Sequence, residues 1–353
     1  MVLVNKKVLY KWHKYLGLTL GLILFILGFS GTIITYRDEL LPVLYSDLMQ
    51  VRPQEHRANL RDQIESARTY LKGQDFTHLY TAETDDTSSL IFFRPEGALL
   101  PHLLAIDPYT SEVRGTMPLI KNIFGVMIYV HANLLLGKVG SWIVGIMGLL
   151  LTGFFITGLI IWWPHENHFL LKIRTLPKSG LRGLHRGLGL FLGLPLVFSA
   201  LTGFILAFDL MEKFGPSKPK EIVQIQTCNY EDQIKSLDLL SDEQKKNLVS
   251  IHFCSPKNGF MKLSSGLHER SGHDGYIRLI VDPKTQTVVQ KFDTTVDPET
   301  WSMNAITIFP MHSGAYFGGI GRILSFACGI ALSILYLTGI YPTLKKRLLK
   351  KDR

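Results

Sequence analysis

Charge is missing from four long stretches of this chain: Tyr15 to Tyr36, Gly140 to Trp163, Gly187 to Phe208 and Ile323 to Leu344. Each is about as long as the roughly 20 residues an α-helix needs to cross a hydrocarbon layer. A helix buried in a soluble core seldom runs so far uncharged, so these stretches argue against a soluble globular protein. No carboxylate lies in any of them, which leaves a transporter without a residue to carry a coupling ion. Cysteine is scarce, with three in 353 residues. That excludes a disulfide-dense scaffold or a cysteine-rich zinc module. No GxGxxG follows an expected strand, and there is no P-loop, catalytic triad or zinc-ligand cluster.

The basic residues present are placed, not scattered. Lys6, Lys7, Lys11 and Lys14 precede the first stretch, and Lys172, Arg174, Lys178, Arg182 and Arg186 separate the second from the third. Lys345, Lys346, Arg347, Lys350, Lys351 and Arg353 follow the fourth. The long segments after stretches one and three are mildly acidic. This positive-inside pattern puts both termini in the cytoplasm and accounts for the net charge of +9 without a nucleic-acid partner. The first apolar run is too long for a secretory signal and no A-x-A-like site follows it, so it reads as a retained anchor. Trp142, Trp162 and Trp163 suit interfacial positions near the ends of the second span. The expected fold is an α-helical membrane protein in the lipid bilayer, with four transmembrane helices and two small α+β extramembrane domains.

The chain repeats itself. Trp12-His13-Lys14-Tyr15-Leu16-Gly17 matches Leu184-His185-Arg186-Gly187-Leu188-Gly189, and at the same offset Gly21 meets Gly193 and Ser30-Gly31 meets Thr202-Gly203. Further on, Asp107-Pro108-Tyr109-Thr110 matches Asp282-Pro283-Lys284-Thr285. His131, Gly137, Gly140 and Thr157-Gly158 match His312, Gly318, Gly321 and Thr338-Gly339. Each unit starts and ends on the cytoplasmic side, so the two are parallel and related by an axis along the membrane normal. The boundaries read as 1–36 for the N-terminus and first span, 37–122 for the first outer domain, and 123–163 for an outer interfacial helix and the second span. A cytoplasmic loop at 164–184, the third span at 185–208 and the second outer domain at 209–309 follow. An interfacial segment with the fourth span (310–344) and a basic tail (345–353) complete the chain. In the outer domains, Leu60 to Leu71 reads as a helix, Ser89 to Phe93 and Leu103 to Ile106 as strands, and each Asp-Pro as a turn. Cys228 and Cys254 share the second outer domain, where a disulfide is open to them; Cys328 lies in the fourth span.

Of twelve histidines, four are fixed points of the repeat. His13 and His185 stand at the cytoplasmic edge. His131 and His312 stand at the outer edge, on a short amphipathic helix or turn leading into the membrane. Gly17, Gly21 and Gly31 project from the face headed by His13, as Gly189, Gly193 and Gly203 do for His185. Such a face has room for something flat, and imidazole is a common axial ligand to haem iron. Symmetry-related histidines facing across the axis would supply two ligands per haem, one haem at each side. The same glycines equally allow bare helices to pack, with histidines bonded only to lipid or backbone. His165 and His168 are alternative ligands. His102, His252, His268 and His273 read singly as surface residues of the outer domains.

The order of these motifs resembles the PepSY-associated transmembrane family, often called iron-regulated membrane proteins. The carriers are His13 to Gly17 with Ser30-Gly31, the hairpin at Asp107 to Thr110, and His131 with Gly137 to Gly140, Thr157-Gly158 and Trp162-Trp163-Pro164. In the second unit they are Leu184-His185, Gly189, His312, Gly318, Gly321 and Thr338-Gly339. Ser111 and Gln286 depart from the pattern, standing where the hairpin commonly has glycine. The family includes di-haem inner-membrane reductases of ferric siderophores. The resemblance therefore implies two b-type haems bound through His13, His185, His131 and His312, in a bacterial inner membrane. The implied activity takes electrons from an unidentified cytoplasmic or membrane donor and reduces a periplasmic ferric siderophore, releasing Fe(II). PepSY-like domains are also associated with peptidase inhibition, so the alternative is a membrane-anchored binding or regulatory protein.

Overall fold

The computed structural model describes residues 5–163, 180–210, 228–254, 259–266, 277–293 and 308–351. They fall into two units. One gathers the apolar helices and the other the strands.

The helical unit contains two copies of a four-helix series. The first is α1 (Lys6–Thr19), α2 (Gly21–Ile34), α3 (Ile123–Asn133) and α4 (Gly137–Trp162). The second is α5 (Gly180–Phe191), α6 (Gly193–Ala207), α7 (Phe309–Ser313) and α8 (Gly318–Lys351). Among the described residues, α4 and the segment Ala315–Lys345 are long and apolar enough to cross a membrane unaided. The described residues hold two such spans, or up to four when each bent pair counts as one. The first and third spans are bent: α1–α2 bends by 56° and α5–α6 by 59°. Both bends fall at a Leu-Gly step, Leu20-Gly21 and Leu192-Gly193, where glycine loosens the helix. In the second copy Pro195 also removes the backbone donor that would have spanned the bend.

Packing crosses between the copies, α2 against α8 and α4 against α6. Small residues allow the approach. A Cβ on Gly329 would meet the Gly28 carbonyl at 2.8 Å, and one on Gly148 would meet the Ala200 carbonyl at 2.7 Å. Gly28 and Ala200 are repeat equivalents, as are Gly148 and Gly329, so this is one contact made twice. Close backbone approach of this kind holds helices together where lipid removes the hydrophobic drive. Cations cap the outgoing helix ends: the Lys6 ammonium donates to the Trp163 carbonyl at 3.0 Å and the Arg322 guanidinium to the Thr35 carbonyl at 2.9 Å.

The second unit is built on one antiparallel sheet. Its strands are β1 (Phe76–Tyr80), β2 (Ser89–Phe93), β3 (His102–Ile106), β4 (Val113–Pro118), β5 (Leu248–His252), β6 (Met261–Ser265), β7 (Ile277–Asp282) and β8 (Thr287–Asp293). The order β4-β3-β2-β1-β5-β6-β7-β8 makes it two four-stranded meanders joined edge to edge through β1 and β5. The two outer domains read from the sequence as separate therefore share a sheet, because pairing removes two open strand edges that each would otherwise expose. Alternate residues Leu79, Ile91, Leu104, Ile251, Leu263 and Leu279 face a common apolar core with Ile64 and Ala67 of the helix Leu60–Tyr70. That helix meets its counterpart Tyr230–Lys235 and the turn after it: Arg61 pairs with Asp238 at 2.6 Å, Tyr230 donates to Glu65 at 3.0 Å, and Arg68 lies 3.7 Å over the Tyr230 ring.

The Asp-Pro turns are near copies. The Asp107 carboxylate accepts from the backbone of Tyr109 and Thr110 at 2.8 and 3.3 Å, and the Asp282 carboxylate from Lys284 and Thr285 at 2.9 and 3.3 Å. Ser111 and Gln286 hold left-handed backbone, φ 61° and 54°. That conformation is why glycine suits these positions. Cys228 and Cys254 are disulfide-bonded, and Cys328 is a buried free thiol in α8.

Candidate functional site

The helical unit brings the four repeat histidines together in pairs, each pair drawn from both copies. His13 on α1 and His185 on α5 have ring centres 6.5 Å apart, nearly perpendicular at 83°. His131 on α3 and His312 on α7 are 5.9 Å apart at 50°. His165 and His168, the alternative ligands, lie outside the described residues, as do His268 and His273.

Each ring is held through Nδ1. His131 donates to the Leu27 carbonyl at 2.9 Å, His185 to the Leu335 carbonyl at 3.0 Å and His312 to the Ser199 carbonyl at 2.8 Å. A carbonyl only accepts, so the proton sits on Nδ1. His13 has the Thr157 hydroxyl at 2.8 Å; that hydroxyl gives its own proton to the Gly153 carbonyl, so its oxygen accepts from the ring. All four rings therefore carry the same tautomer, with Nε2 unprotonated and able to bind a metal. Hydroxyls stand beside the other three as well: Ser30 by His131 and Thr202 by His312, both at 3.3 Å, and Thr338 by His185 at 3.0 Å.

A glycine follows every one of these hydroxyls and lies against the same ring. A Cβ on Gly31 would come within 2.9 Å of the His131 ring, and one on Gly203 within 3.0 Å of the His312 ring. Gly158 and Gly339 stand likewise by His13 and His185, at 3.4 and 3.8 Å. The hydroxyl–glycine dipeptide is thus a cradle used four times: an acceptor for Nδ1, then a missing side chain where the ring goes. The dipeptide shows in the sequence as a repeat match, but the helical faces read from His13 and His185 gave Gly31 and Gly203 to the wrong histidines. Gly31 serves His131, not His13. Gly21 and Gly193 do not line an open face either, for Tyr336 and Phe155 lie against them. The signal was constant spacing within each copy, which does not say which helix lies opposite.

The expected amphipathic helix before the second span is also corrected. α3 is apolar, with Phe124 and Gly125 buried, and His131 is near its end. The α3–α4 turn uses left-handed Leu134, Leu135 and Gly137 to swing the chain back, and Gly140 packs on the Asn133 carbonyl. Gly318 and Gly321 do the same work before and within α8. The pairs stand at two levels of the bundle. α2 and α8 run antiparallel, Gly21 against Tyr336 and Gly28 against Gly329. His131 is level with Leu27 to Gly31, and His185 with Leu335 to Thr338. The levels differ by roughly nine residues, or about 14 Å at the helical rise.

Spacing decides what the pairs can hold. Imidazoles bound on opposite faces of one metal, with bonds of about 2.0 Å, stand roughly 6.3 Å apart centre to centre. Both pairs fall close to that. No group of three or more His, Cys, Asp or Glu that could hold a metal ion occurs among the described residues. A metal here would need its remaining ligands from elsewhere, as a macrocycle provides.

Comparison with curated proteins returned no match. A family model described as the PepSY-associated TM region matches residues 10–346, nearly the whole chain, and the protein belongs to that family.

Proposed function

We propose that this protein carries electrons across the bacterial inner membrane to reduce a ferric siderophore on the periplasmic side, releasing Fe(II). The observation that carries the reading is the paired spacing of His13 with His185 and of His131 with His312, each ring presenting an unprotonated Nε2. In this reading each pair binds one b-type haem, whose iron supplies a one-electron Fe(III)/Fe(II) couple when bound. The chain's own residues orient the imidazoles through Nδ1, keep the ligand nitrogen free of a proton and exclude water with apolar helices. The two levels, about 14 Å apart, divide a hydrocarbon layer of about 30 Å into shorter steps. Placing the His13 pair toward the cytoplasm follows from the basic flanks, and the Cys228–Cys254 disulfide suits an oxidising periplasm for the sheet unit. Hard oxygen chelators lose affinity when iron is reduced, so transfer of one electron frees the metal. The electron donor is a cytoplasmic carrier or a membrane quinol.

A visible spectrum and a pyridine haemochrome assay on protein expressed with ample haem test this. Two haems per chain are expected, and His13→Ala or His185→Ala should remove one and spare the other. A preparation with no Soret band would leave the membrane-anchored binding protein as the better reading.

A further inference from the structure

His78 is no fixed point of the repeat, and His252 reads from the sequence as a lone surface residue. The sheet places them directly opposite each other on its two central strands, where β1 meets β5. Their ring centres are 4.2 Å apart, tilted by 72°. Both are half-buried, on the sheet face away from Leu79 and Ile251. The pseudo-two-fold of the sheet runs through that Leu79–Ile251 pairing. Strand register makes Ser250 the equivalent of His78 and Tyr80 the equivalent of His252. The histidine pair is therefore no relic of duplication, for each copy carries a histidine where the other does not.

We propose that His78 and His252 form a two-imidazole site for a divalent first-row transition-metal ion at the seam of the sheet. Spacing separates it from the pairs in the helices. Imidazoles on adjacent positions of one ion stand roughly 4.5–5 Å apart centre to centre, a small side-chain adjustment from the observed distance. Opposed residues of antiparallel strands have the reach to chelate in this way. His78 donates from Nδ1 to the Thr77 hydroxyl at 2.8 Å, and that hydroxyl gives its proton to the Phe92 carbonyl. Its Nε2 is thus unprotonated, as a ligand must be. Burial first, and then neighbouring charge, hold both imidazoles neutral. Lys262 lowers the pKa of His78; His78, Arg278 and Lys262 lower that of His252, which falls to about 3. The Tyr80 ring lies parallel to His78, with ring centres 6.3 Å apart. Lys262, opposite His252 on β6, favours an ion that carries an anionic oxygen ligand. The remaining positions are filled by that ligand or by water, since no third protein ligand joins among the described residues. Imidazole suits Fe(II) as well as Co(II), Ni(II) and Zn(II). The site would therefore accept iron released by the proposed reduction; that link alone rests on the haem reading.

The test is calorimetry and equilibrium dialysis of the intact, untagged protein with cobalt(II) chloride. His78→Ser and His252→Tyr each install the residue that the other copy already carries at the equivalent position, so both should fold. One Co(II) per chain is expected in the wild type, with affinity reduced at least about tenfold in either variant and an unchanged haem spectrum. No binding to the wild type, or equal binding by the variants, overturns the proposal. Neither outcome depends on the Soret band by which the haem reading stands or falls.

Discussion

The helical unit and the sheet unit descend from the same duplication and have kept different parts of it. In the helices both copies retain the chemistry: each supplies one histidine to each pair, and each cradle has its twin. In the sheet both copies retain the frame, with matching Asp-Pro turns, but differ at the seam, where His78 faces His252. In the haem reading, a group bound on the axis would need equivalent ligands from both sides, which would hold the helical copies alike. Nothing comparable constrains a strand pair whose folding requirement is met by backbone bonds.

The strongest way to probe the symmetric half is at its doubled helix contact. Gly329→Leu and Gly148→Leu should each drive α2 from α8, or α4 from α6, and lose most folded protein. Size-exclusion yield in detergent checks this, and equal losses would support equivalence. A smaller effect should expose a place where the helical symmetry fails. His13 has only the Thr157 hydroxyl on Nδ1, whereas His185 keeps the Leu335 carbonyl beside Thr338. Thr157→Val should weaken haem retention by about 10–100-fold, and Thr338→Val by much less. Equal effects in a haem-transfer assay would mean that the hydroxyls do not set the ring tautomer.

In the sheet, pH tests the seam. His252 takes up a proton far less readily folded than unfolded, so the unfolded chain binds more protons between about pH 6.5 and about 3. Stability should fall as pH drops through that window, and His252→Tyr should flatten the slope in thermal melts. The smallest effect concerns the turns. Ser111→Gly removes left-handed strain and a buried hydroxyl with no hydrogen-bond partner among the described residues, so it should stabilise by about 1 kcal/mol. Gln286→Gly relieves the same strain but loses the bond from the Gln286 amide to the Asp232 carbonyl at 2.8 Å, and should gain little. Matching gains in melting temperature would refute this difference.

Much of this was legible in the chain. Uncharged runs mark membrane helices because a charge in hydrocarbon is costly, and a constant offset marks duplication because insertions are rare within packed helices. The four histidines stood out as points that both copies preserve. Other features needed the third dimension. The aromatic rings that lie against Gly21 and Gly193 at the bends, Tyr336 and Phe155, come from other helices. Which ring each cradle glycine accommodates depends on cross-copy packing, so a helical face drawn for one chain segment assigned Gly31 to the wrong histidine. The joined sheet and its seam depend on edge pairing between strands some 170 residues apart. By itself the sequence determined the membrane class, the repeat and the four histidines that both copies share, since local composition and spacing encode these. Only the tertiary structure decided partners, because contact between distant segments leaves no periodic mark on either one.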